Sequence, residues 1–480
     1  MIYGENFLKN LVQYVDSYKR TLIHNHDLFE IYEGDLCKYL DESMRAQFSA
    51  QFYDQVKHRS APINILKKVI DKLSTIYGEP PRRIMEGSTG DEAIWDWYQE
   101  NLDPDPYMNH ANEFYNLFKS CLIEPYVDKG VPRLRIIPSD RFIPYSDNRV
   151  NPMEPTHIVI DAGERMNGSQ MEQIYRVYSD DSFAIINGRG EVLQDEMMAL
   201  DNVEGINPYG KLPFVYVNKS ANMLVPLIDG DLKKMSIVIP LILSDLNAAV
   251  MFQSFSIIYA RNISREGELK MAPNAIWFLK SDMDGEQQAD VGTLKPDVDI
   301  EPVINMIGQE MALWLNTRGI RPGAIGGLSA ETFSSGISKM IDEADTYDDR
   351  KKQVTKFQAA EEQLWDLITH YMHPVWVKTR QLEGMTAVFS ATSKINVDFP
   401  EQVPSMNRAE LVSSLVDEVS AGFTTRKRAI KVLNPRMTDQ EIDELIAEIE
   451  GPEMAEPAPE PTPPMDDEEN GADQDDNTDT

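Results

Sequence analysis

Residues 337–375 read ISKMIDEADTYDDRKKQVTKFQAAEEQLWDLITHYMHPV, and this stretch decides the fold. Ile337, Met340, Ile341, Ala344 and Tyr347, then Val354, Phe357, Leu364, Trp365, Ile368, Tyr371, Met372 and Val375, recur at helical spacing. A helix of about 38 residues would run roughly 55–60 Å at 1.5 Å per residue. Its apolar stripe lapses at DDRKKQ, Asp348–Gln353, where a kink or a change of packing partner is expected.

Immediately upstream lies RPGAIGGLSAETFSSG, Arg321–Gly336, with five glycines between Gly319 and Gly336 inclusive. Such a run reads as a flexible loop. Before it, a helix is expected from about Pro302 to Thr317, stopped at Arg318-Gly319. Further upstream, Ile237–Ala260 is apolar and long enough to span a bilayer, but Pro240, Ser244, Asp245, Asn247, Gln253, Ser254 and Ser256 interrupt it. An Asp near mid-bilayer alone costs roughly 2.5–3.5 kcal/mol, so a buried or oligomer-facing helix is the better reading. Pro240 should kink that helix or delay its start. Between the two helices, Asn262–Asp299 is polar apart from AIWFL, Ala275–Leu279, read as one strand of a small insert.

Toward the N-terminus the period changes to that of strands. RLRIIP, HIVID, QIYRVY, FAIING and LPFVYV are separated by turn residues at Ser179-Asp180-Asp181, Asn187-Gly188 and Asn207-Pro208. Helices precede this small antiparallel unit. Leu8, Leu11, Val12, Val15 and Tyr18 mark one, and Ile65, Leu66, Val69, Ile70 and Leu73 another. A third is expected to open at the capping box Thr89–Glu92, and a fourth to cover about Asn109–Leu122. Beyond the long helix come one strand, KINVDF, and short helices, the last opened by a capping box at Thr438–Glu441. The fold class is therefore α+β, predominantly helical.

The chain has 480 residues, 46 Lys+Arg and 79 Asp+Glu, for a formal charge of −33. Residues 451–480 hold 11 acids, six Pro and no Lys or Arg, leaving −22 on the remainder. That tail is too polar to bury a core and is expected to be disordered. An acidic body argues against a protein that wraps duplex DNA by neutralising phosphates. Two cysteines, Cys37 and Cys121, make no disulfide framework, and MIYGENFLKN has no apolar leader segment, so secretion is not expected.

Chemistry-bearing motifs are missing. Gly323, Gly326 and Gly327 lack the Lys and hydroxyl of a phosphate cradle, and no GxSxG or Cys–His signature supports a nucleophile. His24/His26 and His370/His373 lack the Cys pair or HExxH frame of a metal site. No enzyme, metal or cofactor is expected. The basic clusters Arg82-Arg83, Arg350-Lys351-Lys352 and Arg426-Lys427-Arg428 read as solvated helix faces and caps.

Five segments, in order, resemble the portal proteins of tailed double-stranded-DNA bacteriophages. They are APINILKKVIDKLSTIYGEPPR (61–82), LRIIPSDRFIPYSD (134–147), NPYGKLPFVYVNK (207–219), PLIDGDLKKMSIVIPLILSDLNAAV (226–250) and SSGISKMIDEADTYDDRKKQVTKFQAAEEQLWDLI (334–368). Each motif is weak alone, and the ordered set, spanning roughly residues 61–450, is much stronger. The resemblance implies a ring, usually of twelve subunits, at one capsid vertex. Double-stranded DNA would pass through it without sequence-specific binding, and the chain would not enter a membrane.

Carried onto this chain, the resemblance implies a wing at 1–227, a stem helix at 228–261, a clip at 262–301 and a second stem helix at 302–317. A tunnel loop follows at 318–335, then the long helix returning to the wing at 336–390, a crown at 391–450 and the tail at 451–480. Arg318, Gly319, Arg321, Gly323, Gly326, Gly327, Ser334 and Ser335 would belong to the tunnel loop. Arg318, Arg321 and Lys339 would be channel-lining basic residues. Trp277, Phe278 and Leu279 in the clip would dock partners. Those partners would be the terminase large subunit and then a head-completion adaptor or tail protein; major capsid protein and scaffold would meet the ring elsewhere. The protein would sit in the virion, at the portal vertex, after assembly in the host cytoplasm. Competing readings are another phage assembly or scaffold-binding protein, and a soluble acidic enzyme whose site is dispersed over loops.

Overall fold

The computed structural model describes residues 3–254, 257–261, 290–294, 300–320, 336–400, 408–434, 437 and 439–450. They fall into two compact units, divided between residues 402 and 403.

In the first unit, five helices lead: α1 (Glu5–Ser17), α2 (Lys19–Glu33), α3 (Leu36–Gln47), α4 (Ala50–Val56) and α5 (Ile65–Leu73). Strand β1 (Arg82–Glu86), helices α6 (Thr89–Asn101) and α7 (Asp105–Phe118), and strands β2 (Ser120–Asp128) and β3 (Val131–Pro138) follow. Next come β4 (Phe142–Tyr145), β5 (His157–Asn167), β6 (Gln170–Tyr178), β7 (Phe183–Asn187), α8 (Gln194–Ala199) and β8 (Val215–Asn218). The unit continues with α9 (Gly230–Ser254), β9 (Ile257–Arg261), β10 (Asp290–Leu294), α10 (Ile300–Thr317), α11 (Gly336–Asp366), a wide π turn (Leu367–Met372), α12 (His373–Lys378) and β11 (Lys394–Asp398). The second unit holds α13 (Arg408–Ser420), α14 (Arg426–Leu433) and α15 (Asp439–Glu450).

The expected antiparallel unit is two sheets. One is ordered β3-β2-β8, and the other is the meander β4-β5-β6-β7. Alternation on β3 supplied one edge; β2, which pairs with β3 and β8, was read as the end of a helix. The fourth helix runs 105–118, not 109–122, because Lys119 adopts a left-handed backbone and the chain turns into β2. The apolar face of α1, Leu8, Leu11, Val12 and Val15, packs on the meander as a core of its own. Contact there is close: a Cβ on Gly190, at φ +79°, would lie 2.9 Å from the Lys9 nitrogen. Only glycine tolerates both demands.

The long helix is threaded through the larger core. Phe357, Leu364 and Trp365 are buried, with Tyr115 and Tyr77 edge-on to Phe357 and Trp95 edge-on to Trp365 at 4.9 Å. Glu361, fully buried, receives Arg83 Nε at 2.7 Å, Arg83 Nη2 at 3.0 Å and the Tyr77 hydroxyl at 2.6 Å. Arg83 also pairs with Asp105 at 2.7 Å. Arg83 is thus a core partner and not a solvated charge. Where the stripe lapses, the helix does not break: Gln353 is buried and accepts hydrogen bonds from Asn112 and Asn116. The packing partner there is polar, so polar residues suffice. The irregularity lies instead at the π turn. Pro374 has no N–H for the carbonyl one turn back, which favours widening just upstream.

The cap of α6 sits one residue earlier than expected. Ser88 and Asp91, not Thr89 and Glu92, form the box. Asp91 accepts from Ser88 N and Oγ and, from 299 residues away, from Ser390 N and Oγ, all at 2.7–2.8 Å. Burial alone would raise its carboxyl, but these four bonds outweigh that and bring it down from 3.8 to about 2. A depressed carboxylate stabilises the fold fully above pH 3.8, and the contribution is lost as pH falls through about 2. Asp91→Asn should flatten the acid limb of stability against pH over that window, as thermal unfolding at several pH values would register. An unchanged limb would assign the acid sensitivity to other carboxylates.

Candidate functional site

Helices α9 and α10 form an antiparallel pair whose shared base is an ionic cluster. Arg318, just past the end of α10, donates from Nη2 to Asp229 Oδ1 and Asp231 Oδ2, each at 2.8 Å. Its guanidinium lies 5.6 Å from the Trp314 ring centroid, and the Trp314 indole donates to Asp231 at 3.3 Å. Lys119, at the α7–β2 turn, is 3.4 Å from Asp229. Burial would raise the Asp229 carboxyl, but the contacts with Asp231, Arg318 and Lys119 prevail and hold it well below the usual carboxylate range. Arg318 is likewise opposed by burial, and the two carboxylates hold its proton more tightly than in solution. Its charge is therefore neutralised within the chain, at the point where the Gly-rich segment begins.

The sequence logic of this base is local. Gly319 takes φ +68° and ends the helix, and the Ile320 N–H returns to Leu315 O at 2.9 Å. Ile320 is buried, so the exit of the chain from α10 is pinned by an apolar anchor as well as by Arg318. Helix α9 starts at Gly230 and continues through Pro240, so Pro240 does not delay it. Ser236 and Ser244 bond back to Leu232 O and Pro240 O, and Ser244 Oγ accepts from the Ala61 N–H, tying the proline turn to the helical body.

At about 1.5 Å per residue, α9 carries the chain some 35–40 Å from this base. Within three residues of its end follows β9, which pairs antiparallel with β10, from Ile257 opposite Leu294 to Arg261 opposite Asp290. Trp277, Phe278 and Leu279, with the strand expected at 275–279, lie outside the described residues, as do Arg321, Gly323, Gly326, Gly327, Ser334, Ser335, Thr438 and the tail 451–480. Lys339 falls within α11, its side chain outside the described residues.

Sequence reading expected a buried or oligomer-facing helix at 237–260 and missed the exposed apolar residues of α10. Leu313 is 68% exposed, Ile304 51% and Met306 46%, with Leu227, Ile228 and Val250 also exposed near or on α9. Helix α10, IEPVINMIGQEMALWLNT, carries apolar residues on more than one face, and only Ile307, Trp314 and Leu315 are buried. That excess was the available signal.

Elsewhere, a cleft of about 610 Å³ between α1–α2 and the meander contains His26, bonded through Nδ1 to Asp140 at 3.2 Å. His373 lies between the Tyr98 hydroxyl and the Ala387 carbonyl, whereas His370 meets Asp366, so these two histidines do not converge on one point. Among the described residues no three His, Cys, Asp or Glu side chains are grouped to hold a metal ion, and no helix is long and apolar enough to cross a membrane.

A family model described as phage portal protein, SPP1 Gp6-like, matches residues 12–453. No curated protein matches the chain. Among solved structures, the chain is similar to a component of the neck of an empty GTA particle computed with C6 symmetry, at 12% identity over 79% of this chain and 92% of that one, TM-score 0.35. It is also similar to one from the neck of a native GTA particle computed with C12 symmetry, at 13% identity over 81% and 94%, TM-score 0.36.

Proposed function

Because the chain belongs to the SPP1 Gp6-like family of phage portal proteins, we propose that twelve copies assemble into a ring at one capsid vertex of the virion. Double-stranded DNA enters through it during packaging and leaves through it on ejection. The observation that carries this reading is the set of apolar residues that α10 leaves exposed on opposite faces, Ile304 on one and Met306 with Leu313 on the other, which neighbouring copies on either side in a ring would bury. The hairpin α9–α10 then forms the stem, 228–261 and 302–317, and residues 262–301 the clip at its far end. The loop 318–335 hangs from the Arg318 cluster, with Arg321 and Lys339 as the basic residues offered to the channel. Residues 1–227 and 336–390 form the wing, toward major capsid protein and scaffold. The crown takes 391–450, its first strand, β11, pairing with β1.

A conduit for a polyanion has to contain DNA without gripping it, and a formal charge of −33 per subunit serves that need. On this reading the protein performs no catalysis; the terminase large subunit supplies the work of packaging and an adaptor later replaces it at the clip. Light scattering on purified protein, with electron micrographs of the same peak, tests the proposal. The expected result is open rings with a mass near twelve times 54.6 kDa. A monomer that persists at high concentration and with scaffold present would overturn it. Within the clip, Trp277→Ala should leave ring mass unchanged and weaken capture of terminase or adaptor in a pull-down by about tenfold, the loss expected for an aromatic anchor. Undiminished capture would remove Trp277 from the docking surface.

A further inference from the structure

Residues 146–156, which join β4 to β5, form a loop braced by its own hydrogen bonds. Asn148 Oδ1 accepts from Val150 N at 2.9 Å and from Asn151 N at 3.0 Å, Asn151 Nδ2 donates to Glu154 at 3.1 Å, and Asp147 N donates to Thr156 Oγ1 at 3.1 Å. Val150 is 96% exposed, more than any other large hydrophobic side chain among the described residues. Arg149 beside it is exposed and makes no ion pair among the described residues. A short branched side chain on a braced loop has little freedom left to lose on docking, so burying it is a nearly net gain.

The cleft of about 610 Å³ between α1–α2 and the meander offers matching chemistry. Leu22 and Ile23 line it from α2, with Ile23 53% exposed. Asp140 lines it from the turn before β4 and is only 8% exposed; its Oδ2 meets His26 Nδ1, and its Oδ1 has no hydrogen-bond partner. Burial holds this carboxyl above its usual range, although His26 and Arg141 pull it down. Asp16, Lys19 and Arg141 are exposed along the same cleft and make no ion pair among the described residues, while Asp161 is taken up by Gln173 and the Gly163 N–H. A cation carried beside an aliphatic side chain therefore meets Asp16 and Asp140 next to Leu22 and Ile23, and an acid just before it meets Lys19 or Arg141. Asp147, Arg149 and Val150 are that set, within four residues.

Loop and cleft stand at opposite ends of β4. Tyr145 and His157 pair at the loop end, and Arg141 O accepts from the Asp161 N–H at the cleft end, about 13 Å of strand away. The loop therefore leads away from the cleft of its own chain. We propose that the loop 146–156 of one copy inserts into the cleft between α1–α2 and the meander of the next copy, Val150 against Leu22 and Ile23 and Arg149 toward Asp16 and Asp140. One patch meets a different patch, the head-to-tail relation whose repetition closes a ring. This contact rests on the ring reading above and adds to the stem a second, separate place where copies meet.

The test uses the full chain carrying Cys37→Ser, Ile23→Cys and Val150→Cys, with assembly state read by light scattering before mild oxidation. Cys121 is fully buried and takes no part. A non-reducing gel should show a ladder of covalent multimers. Chains carrying Ile23→Cys alone and Val150→Cys alone, each with Cys37→Ser and mixed before assembly, should give covalent dimers and nothing larger. Rings of full mass without a ladder overturn the contact and leave the ring reading standing; chains that stay monomeric overturn both. Covalent dimers from Val150→Cys alone would place two loop tips together and also overturn it. A second readout needs no cysteine. Arg149→Asp should raise the protein concentration at which rings dissociate by about tenfold, and adding Asp16→Arg should recover part of that loss. A dissociation concentration that Arg149→Asp leaves unmoved overturns the pairing.

Discussion

Leu313→Asp combined with Ile304→Asp is expected to convert rings into 54.6 kDa monomers without unfolding them. Both side chains are more than half exposed in the single chain, so a carboxylate at either position is solvated there and costs the monomer little. In a stem ring the same carboxylates would be buried against the next copy with no cation on α10 to pair them. An interfacial charge left unpaired costs about 2–5 kcal/mol per contact, one to four powers of ten in affinity, and every interface of the ring carries it. Light scattering and a thermal melt separate the outcomes. Monomers with a parental melt support the stem interface; rings of unchanged mass would show that neither of these faces of α10 is where copies meet.

Arg83→Met should be among the most destabilising single substitutions in the first unit. It strands Glu361, whose side chain is wholly shielded from solvent, with only the Tyr77 hydroxyl in place of three donors. Breaking a buried pair from one side costs about 3–5 kcal/mol, because the remaining charge cannot be rehydrated. Urea unfolding of the monomeric Leu313/Ile304 background gives a measurement free of assembly. Adding Glu361→Gln should restore part of the loss, since it removes the stranded charge. A loss below about 1 kcal/mol, with no recovery in the double variant, would mean that water or a rearranged side chain reaches Glu361.

The two expectations differ in how they could have been anticipated. Leu313 and Ile304 belong to a helix visibly richer in apolar residues than one buried face requires. Arg83 and Glu361 are 278 residues apart. Arg83 was read as part of a solvated basic cluster, and Glu361 is one of several acids along the long helix. The Asp348–Gln353 lapse has the same origin. A polar residue opposite a polar partner looks, in one dimension, like an interruption, and only Asn112 and Asn116 across the interface give Gln353 its meaning. The helix α7 boundary failed for a local reason: β2 begins SCLI, four buried residues whose apolar run is ambiguous between helix and strand.

What the sequence by itself determined is whatever depends on neighbours along the chain. That covers the α+β class, the α1, α5 and α11 stripes, the strands of the meander, the Arg318-Gly319 stop, the acidic balance and the order of segments that marks a phage portal protein. Tertiary structure alone decided which polar groups are buried and by whom they are satisfied. It joined Arg83 to Glu361, Asp91 to Ser390, and Arg318 to Asp229 and Asp231. It left Leu313 facing outward. The physical reason is that periodicity reports which face of an element is apolar, through contacts three or four residues apart. The pairing of a buried charge is a long-range choice, made when desolvation forces each ionised group to find the one partner that folding brings within about 3 Å.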